Sequence, residues 1–535
     1  MTKLFTFFLL LFVSTSVFSL DYYWVGGTGN WSDFANHWAT TSGGATFHAQ
    51  VPTLNDNVYF DANSFTSAGQ TVTNDQTIIY CRDMDWSATT NNPTFAGPSS
   101  NDLKIYGSLI FSNNMTISYA GEIYFEATSI GKTITMAGQS FGAYIYFNGI
   151  GGGWEFTDAF QSSTWVHLVH GTVTTNDNQV TVGAMYASAN NPMTLNLGAS
   201  LVTITGSTWA WWVNNSSFTL NAGTSLLRLT SASSPDIRYA NNLNFYDVEF
   251  TDPNTTAEII SSNNSSFNSV TFLGNGKING SHSYNNLNFS AGKLYELASG
   301  ATQTVTTLNA NGTCTEYITI KSSSVGAQTT IAKASGAVSI DFVQLQDISA
   351  SGGATFTANN AVDLGNNTGW TINTSAARNL YWVGDAGDWT DASHWSISSG
   401  GTGGNCPPTF QDNVYFDANS FTTGGQTVTI DANASCNDMD WTGVSNNPTF
   451  AGANANNLSI YGSLTFAAAM NRTYAGLTYF EATSIGKTIT MAGQSFSAYA
   501  YFNGIGGGWE FTDAFQSSTW VHLVHGTVTT NDNQV

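Results

Sequence analysis

The sequence predicts an all-β chain, and within that class a parallel β-helix (β-solenoid) in tandem copies. Three observations carry the prediction. Short runs alternate apolar and polar residues, as in Thr133-Ile134-Thr135-Met136 and Leu201-Val202-Thr203-Ile204-Thr205. Turns rich in Gly, Asn, Ser and Asp separate them, and no 3.6-residue period is sustained. Charged residues make up only 9% of the chain, against about 25% in ordinary globular domains. Strands stacked about 4.8 Å apart explain that scarcity: like charges in register repel, whereas Asn, Ser and Thr hydrogen-bond up the stack. A string of β-sandwich domains fits the same strand spacing. The long stretch without a domain-sized break, the low charge and the Asn-rich turns favour the solenoid.

The chain opens with Met1-Thr2-Lys3, an apolar run from Leu4 to Val13, and compact residues at Val17-Phe18-Ser19. This is the layout of a secretory signal peptide over residues 1–19, cleaved after Ser19. The run is too short to span about 30 Å of hydrocarbon, and no later segment is apolar enough to do so. A secreted or cell-surface protein is expected.

Self-similarity then sets the organisation. Tyr23-Trp24-Val25-Gly26 returns as Tyr381-Trp382-Val383-Gly384, and the ten residues from Asp56 to Phe65 return unchanged from Asp412 to Phe421. From Tyr124 to Val180 and from Tyr479 to Val535 the copies differ only at Gly142/Ser497 and Ile145/Ala500. We read residues 20–375 as a first repeat unit, with a Trp-rich module over about 20–100 and a solenoid over about 101–375. Residues 376–535 read as a partial, truncated second unit. Its end at Val535 matches Val180, where the first copy enters the run Val180-Thr181-Val182, so a truncated reading frame or a fragment, with an open, self-associating edge, is expected. The echo Asn242–Phe245, Ser269–Phe272 and Asn286–Phe289 averages 22 residues per turn, giving about a dozen turns.

Residues 22–65 and 380–421 share Tyr-Trp-Val-Gly, Trp31 with His37-Trp38, Pro52-Thr53 and the block Asp56–Phe65. With Gly300–Val305 and Gly365–Trp370 they resemble a family of large secreted bacterial repeat proteins, adhesin-like and exported by the type IX route. The resemblance implies a β-helix and a surface function, and it assigns no site residue.

Of the four cysteines, Cys406 and Cys436 flank the Asp412–Phe421 block and are the expected disulfide of an exported chain. Asp83 with Asp85, and Asp438 with Asp440, stand two apart on a strand, so each pair shares a face and is a candidate for Ca²⁺. Asp61 with Asn63, and Asp417 with Asn419, have the D-x-N spacing found in Ca²⁺ loops and in Asx turns. His167 and His170, three apart, point to opposite faces of a strand and make a poor zinc pair. Trp209, Trp211 and Trp212 are the densest aromatic patch, fit for glycan stacking or for core packing.

The net charge of −22, with only 13 Lys and Arg, excludes nucleic acid as a partner. No catalytic constellation or resident cofactor emerges beyond the Ca²⁺ candidates. The expected role is an exported structural or adhesive repeat protein making weak multivalent contacts with glycans or surfaces. The alternative is a polysaccharide lyase or glycoside hydrolase on the same scaffold, an assignment weakened by five arginines that cluster nowhere.

Overall fold

A computed structural model describes residues 19–239, 242–261, 264–374 and 376–535. The predicted signal segment lies outside them except for Ser19. The chain is a parallel β-solenoid of about 21 turns. Its one α-helical segment among the described residues is the single turn Phe34–His37. No described helix is long and apolar enough to cross a membrane. By its contacts the chain divides into two units: Thr313–Tyr317, Asn359–Ala361 and Asn373–Val535 form the second, and the remaining described residues form the first.

In the first unit, three sheets of 10, 14 and 10 strands, parallel but for one edge strand, make the solenoid faces, with a four-stranded sheet near the start and a three-stranded one near the end. The 14-stranded sheet runs from Ile78–Cys81 to Val362–Asp363. Period-2 alternation puts one side chain of each strand inside at the same height, turn after turn. The inward column on that sheet reads Ile79, Leu103, Ile123, Ile145, Val166, Met185, Trp211, Ile237, Ile259 and Ile278. All of these are buried, and such side chains contribute about 1.5–3 kcal/mol each by leaving water.

The Trp-rich stretch is continuous with the solenoid. Asp21–Trp24 pairs with Asn57–Tyr59, which pairs with Met84–Asp85 and so on up the 10-stranded sheet. Its indoles fill the opening turns: Phe60 stacks on Trp86 at 3.6 Å, and Trp24 meets Trp38 edge-on at 4.9 Å. The strand Trp38–Ala39 runs antiparallel to Tyr23–Trp24 at the edge of that sheet. With these turns counted, the longest sheet exceeds the expected dozen.

The 22-residue echo mixed two corners of the turn. Phe250 pairs with Phe272, which pairs with Phe289, whereas Phe245 pairs with Phe267, which pairs with Tyr284. Each of these strands sends two aromatic residues inside, five positions apart, and the echo aligned the first of one with the second of the others. The turn glycines have a steric reason: a Cβ on Gly149 or on Gly504 would lie 1.9 Å from the carbonyl oxygen of Ala127 or Ala482.

Charged residues also stack in register. On the outer side of the 14-stranded sheet, Glu258, Lys277, Glu296 and Lys321 occupy one column. Lys277 lies 3.5 Å from Glu258, and Lys321 lies 3.6 Å from Glu296.

The second unit repeats the opening turns with sheets of eight, four and five strands. Its interior holds Trp382, Trp389, Trp395, Trp441 and Trp509, all buried.

Candidate functional site

The alternation that buries Ile123 and Phe125 turns Tyr124 outwards, and the next strand repeats Ile145-Tyr146-Phe147 in register. The outward column continues through His167, Tyr186 and Trp212, between Lys104 at one end and Arg238 at the other. Ring centroids follow the turn spacing: 4.6 Å from Tyr124 to Tyr146, 4.4 Å to His167, 5.0 Å to Tyr186 and 4.5 Å to Trp212. Beside it lie Tyr144, Trp165 and Trp209, with 6.2 Å between successive centroids. Trp165 stacks on Tyr186, and Trp209 lies 5.0 Å from Trp212. Eight aromatic rings thus form one strip on the outside of the sheet.

Ring orientation changes along the strip. From Tyr124 to His167 the rings are within 11° of parallel and cover each other's faces. Tyr186 meets His167 at 62° and Trp212 at 67°, which uncovers ring faces in that half. Trp209 is 40% exposed and has a left-handed backbone, φ 62°, an unusual conformation for a bulky residue. Buried Asp236 braces this turn. Its carboxylate accepts from the Ala210 N–H at 3.2 Å and from Arg238 Nε at 2.6 Å. Burial raises the Asp236 pKa, and the Arg238 hydrogen bond opposes that rise.

At the other end, Glu122 accepts hydrogen bonds from the hydroxyls of both Tyr124 and Tyr146. Burial first, and then the Glu122 charge, push the Tyr146 phenol up to about 12. Burial also raises the pKa of Asp102, with Glu122 adding to it. Lys104 lies over the Tyr124 ring and 3.6 Å from Glu126.

The second unit carries the same motif. Tyr479 stacks on Tyr501 at 4.9 Å, Tyr501 on His522 at 4.4 Å, and Tyr499 on Trp520 at 5.9 Å. Of the surrounding charge only Glu126 recurs, as Glu481, while Asn457, Ser459 and Leu477 stand where the first unit has Asp102, Lys104 and Glu122. The rings are common to both copies, while the Lys104 ammonium and the Glu122 and Asp102 carboxylates belong to the first.

The Ca²⁺ candidates serve the backbone. Asp61 Oδ1 accepts from Asn63 N at 2.8 Å, and Asp417 Oδ1 from Asn419 N at 2.9 Å, which is Asx-turn geometry. Asp83 Oδ1 accepts from Ser108 N on the next turn at 2.7 Å, and Asp438 Oδ1 does the same for Ser463 N. Asp85 and Asp440 cap the N–H groups of Ser87 and Thr442. Arg82 Nε reaches Asp83 Oδ2 at 3.2 Å. Among the described residues no three His, Cys, Asp or Glu side chains group as metal ligands.

The expected Cys406–Cys436 bridge is not formed. Cys406 bonds to Cys314, 92 residues away, with a Cα–Cα distance of 5.5 Å. Cys436 ends the strand Ala434–Cys436 on its inward side, in line with Ile460, and is fully buried. Cys81 holds the matching inward place beside Ile105. Burial raises both thiol pKa values, which makes these cysteines unreactive hydrophobes. Spacing along the chain suggested the bridge, and strand alternation forbids it.

The tryptophan patch divides by the same rule. Trp211 is fully buried, while Trp209 and Trp212 belong to the strip. His167 is part of the strip, and His170 lies beyond the end of its strand Trp165–Leu168. The strip itself escaped sequence reading, although Ile-Tyr-Phe recurring at 123–125 and 145–147 was its visible trace.

No family model, no curated protein and no solved structure matches this chain.

Proposed function

We propose that this is an exported, adhesin-like surface protein whose aromatic strips make weak, repeated contacts with glycans. The observation that carries the reading is the recurrence of the outward strip in both copies, at Tyr124–Tyr146–His167 and at Tyr479–Tyr501–His522. The exposed rings beside the stack, Tyr144 and Trp209 in the first copy and Tyr499 in the second, present faces that suit the apolar faces of sugar rings. The left-handed Trp209 supports the reading, because backbone strain at an exposed aromatic residue is costly unless that residue is used. Two strips on one chain add avidity without new contacts. The disulfide accords with an extracellular setting.

The test is a glycan array probed with the full chain and with a Trp165→Ala, Trp209→Ala variant, beside a reducing-sugar assay. Glycan retention that falls in the variant, with no sugar released, is the expected result. Release of reducing ends would replace the adhesive reading with the hydrolytic one. Protein recovered outside the cell is expected to begin near Leu20, and an intact Met1 would remove the signal-peptide assignment.

A further inference from the structure

A second site lies on another face of the first unit. The strands Asn244–Phe250, Ser265–Phe272, His282–Phe289 and Thr302–Ala310 are neighbours in a 10-stranded sheet and are longer than the rest. Each breaks the in–out alternation once. After the inward Phe245, Phe267, Tyr284 and Val305, two successive residues stay out of the core, for example Asn268 and Ser269. A strand that turns two neighbours outwards bends there, and the bend repeated over four turns leaves a groove of about 420 Å³.

The groove walls are two rows of polar groups. Ser266, Ser283 and Thr304 stack in register along one side. Asn268, Asn285 and Thr306 follow the other, with Tyr246 at one end. The amides are aligned: Asn285 Nδ2 donates to Asn268 Oδ1 at 3.1 Å, and Asn268 Nδ2 donates to Asp247 Oδ1 at 2.7 Å. Among the described residues, the one ionisable side chain turned to the groove is Tyr246, since the Tyr284 phenol points into the core and donates to Gln303 Oε1. At one end of the groove the Lys333 ammonium donates to the Thr306 carbonyl, and at the other the Asp247 carboxylate accepts from Asn268.

We propose that this groove is a carbohydrate site, separate from the aromatic strips, that takes a segment of a neutral polysaccharide. The size lies in the range of ligand pockets, about 300–1,000 Å³. Its walls offer hydroxyls and amides, which both donate and accept, as sugar hydroxyls require. An anionic polymer would meet the Asp247 carboxylate at one end and a single ammonium at the other, too few cations for a row of carboxylates or sulfates. An extended peptide could not add as a strand, because these strands are interior to the sheet and paired on both sides.

The test uses the full chain and neutral β-linked hexaoses of glucose and of xylose, with hexagalacturonate as the anionic comparison, all followed by calorimetry. Ser283 and Asn285 are exposed, so Asn285→Trp fills the groove without disturbing the core. The expected result is binding of a neutral hexaose that weakens about tenfold or more in Asn285→Trp and survives in Trp209→Ala. Loss of all binding in Trp209→Ala, with none in Asn285→Trp, would leave the strip as the binding site and overturn the groove. Failure of both neutral hexaoses to bind, or equal binding of hexagalacturonate, would also overturn it.

Discussion

The rings of Tyr146 and His167, one turn apart on the outer side of the longest sheet, lie 4.4 Å apart and 11° from parallel. The imidazole is thereby enclosed, its Nε2 is buried without a partner, and burial lowers its pKa against the opposing pull of Glu122. His282, inside the solenoid with Nε2 2.9 Å from the Asn279 carbonyl oxygen, is lowered by burial as well.

For both histidines the unfolded chain binds the proton more readily than the folded one. Their contribution to stability is therefore complete above about pH 6.5 and is lost as pH falls through the lowered folded value. Denaturant midpoints are expected to drop below pH 6.5. A His282→Gln variant, whose side chain would sit in register with Gln303, should flatten part of that drop. An unchanged slope would mean that His282 is not held neutral.

Neighbouring tryptophans should differ sharply on truncation. Trp211→Ala empties a buried position and is expected to cost about 3–5 kcal/mol. Trp209→Ala removes an exposed ring and its contact with Trp212, a loss of about 1 kcal/mol. Equal losses by chemical denaturation would contradict the inward–outward division at this strand.

Non-reducing peptide mapping is expected to link Cys314 to Cys406 and to leave Cys81 and Cys436 as thiols. Those thiols should resist labelling until the chain unfolds. Reduction should destabilise the fold by about 4–5 kcal/mol in the chain-entropy account, given a loop of 92 residues. Linkage of Cys406 to Cys436 would refute the arrangement.

The carboxylate of Asp83 reads as a brace between turns. Asp83→Ala strands the Ser108 N–H and should lower stability by about 1–2 kcal/mol, with Asp438→Ala acting likewise through Ser463. Melting temperatures should be the same in calcium and in chelator. A rise with calcium that disappears in Asp83→Ala would return these residues to ion binding.

The parallel stacked architecture was legible because it rests on local signals: period-2 runs, Gly and Asn turns, and scarce charge. Long-range register was not. Successive outward rings at 124, 146, 167, 186 and 212 are separated by unequal turns, so no fixed period exposes them as one column. The same limit misled the echo at Phe245, where two inward aromatics share a strand. For Cys436 the needed signal was present, since Ala434-Ser435-Cys436 alternates and puts the sulfur inside.

The alternating column Glu258, Lys277, Glu296, Lys321 constrains how this protein can change length. A solenoid tolerates gain or loss of whole turns, since each touches only its neighbours. Within this stretch the tolerance has a parity. Deleting the single turn that carries Lys277 would set Glu258 directly against Glu296, whereas deleting the two turns that carry Lys277 and Glu296 sets Glu258 against Lys321. Between Glu258 and Lys321, loss or gain of turns keeps acid against base only in even steps.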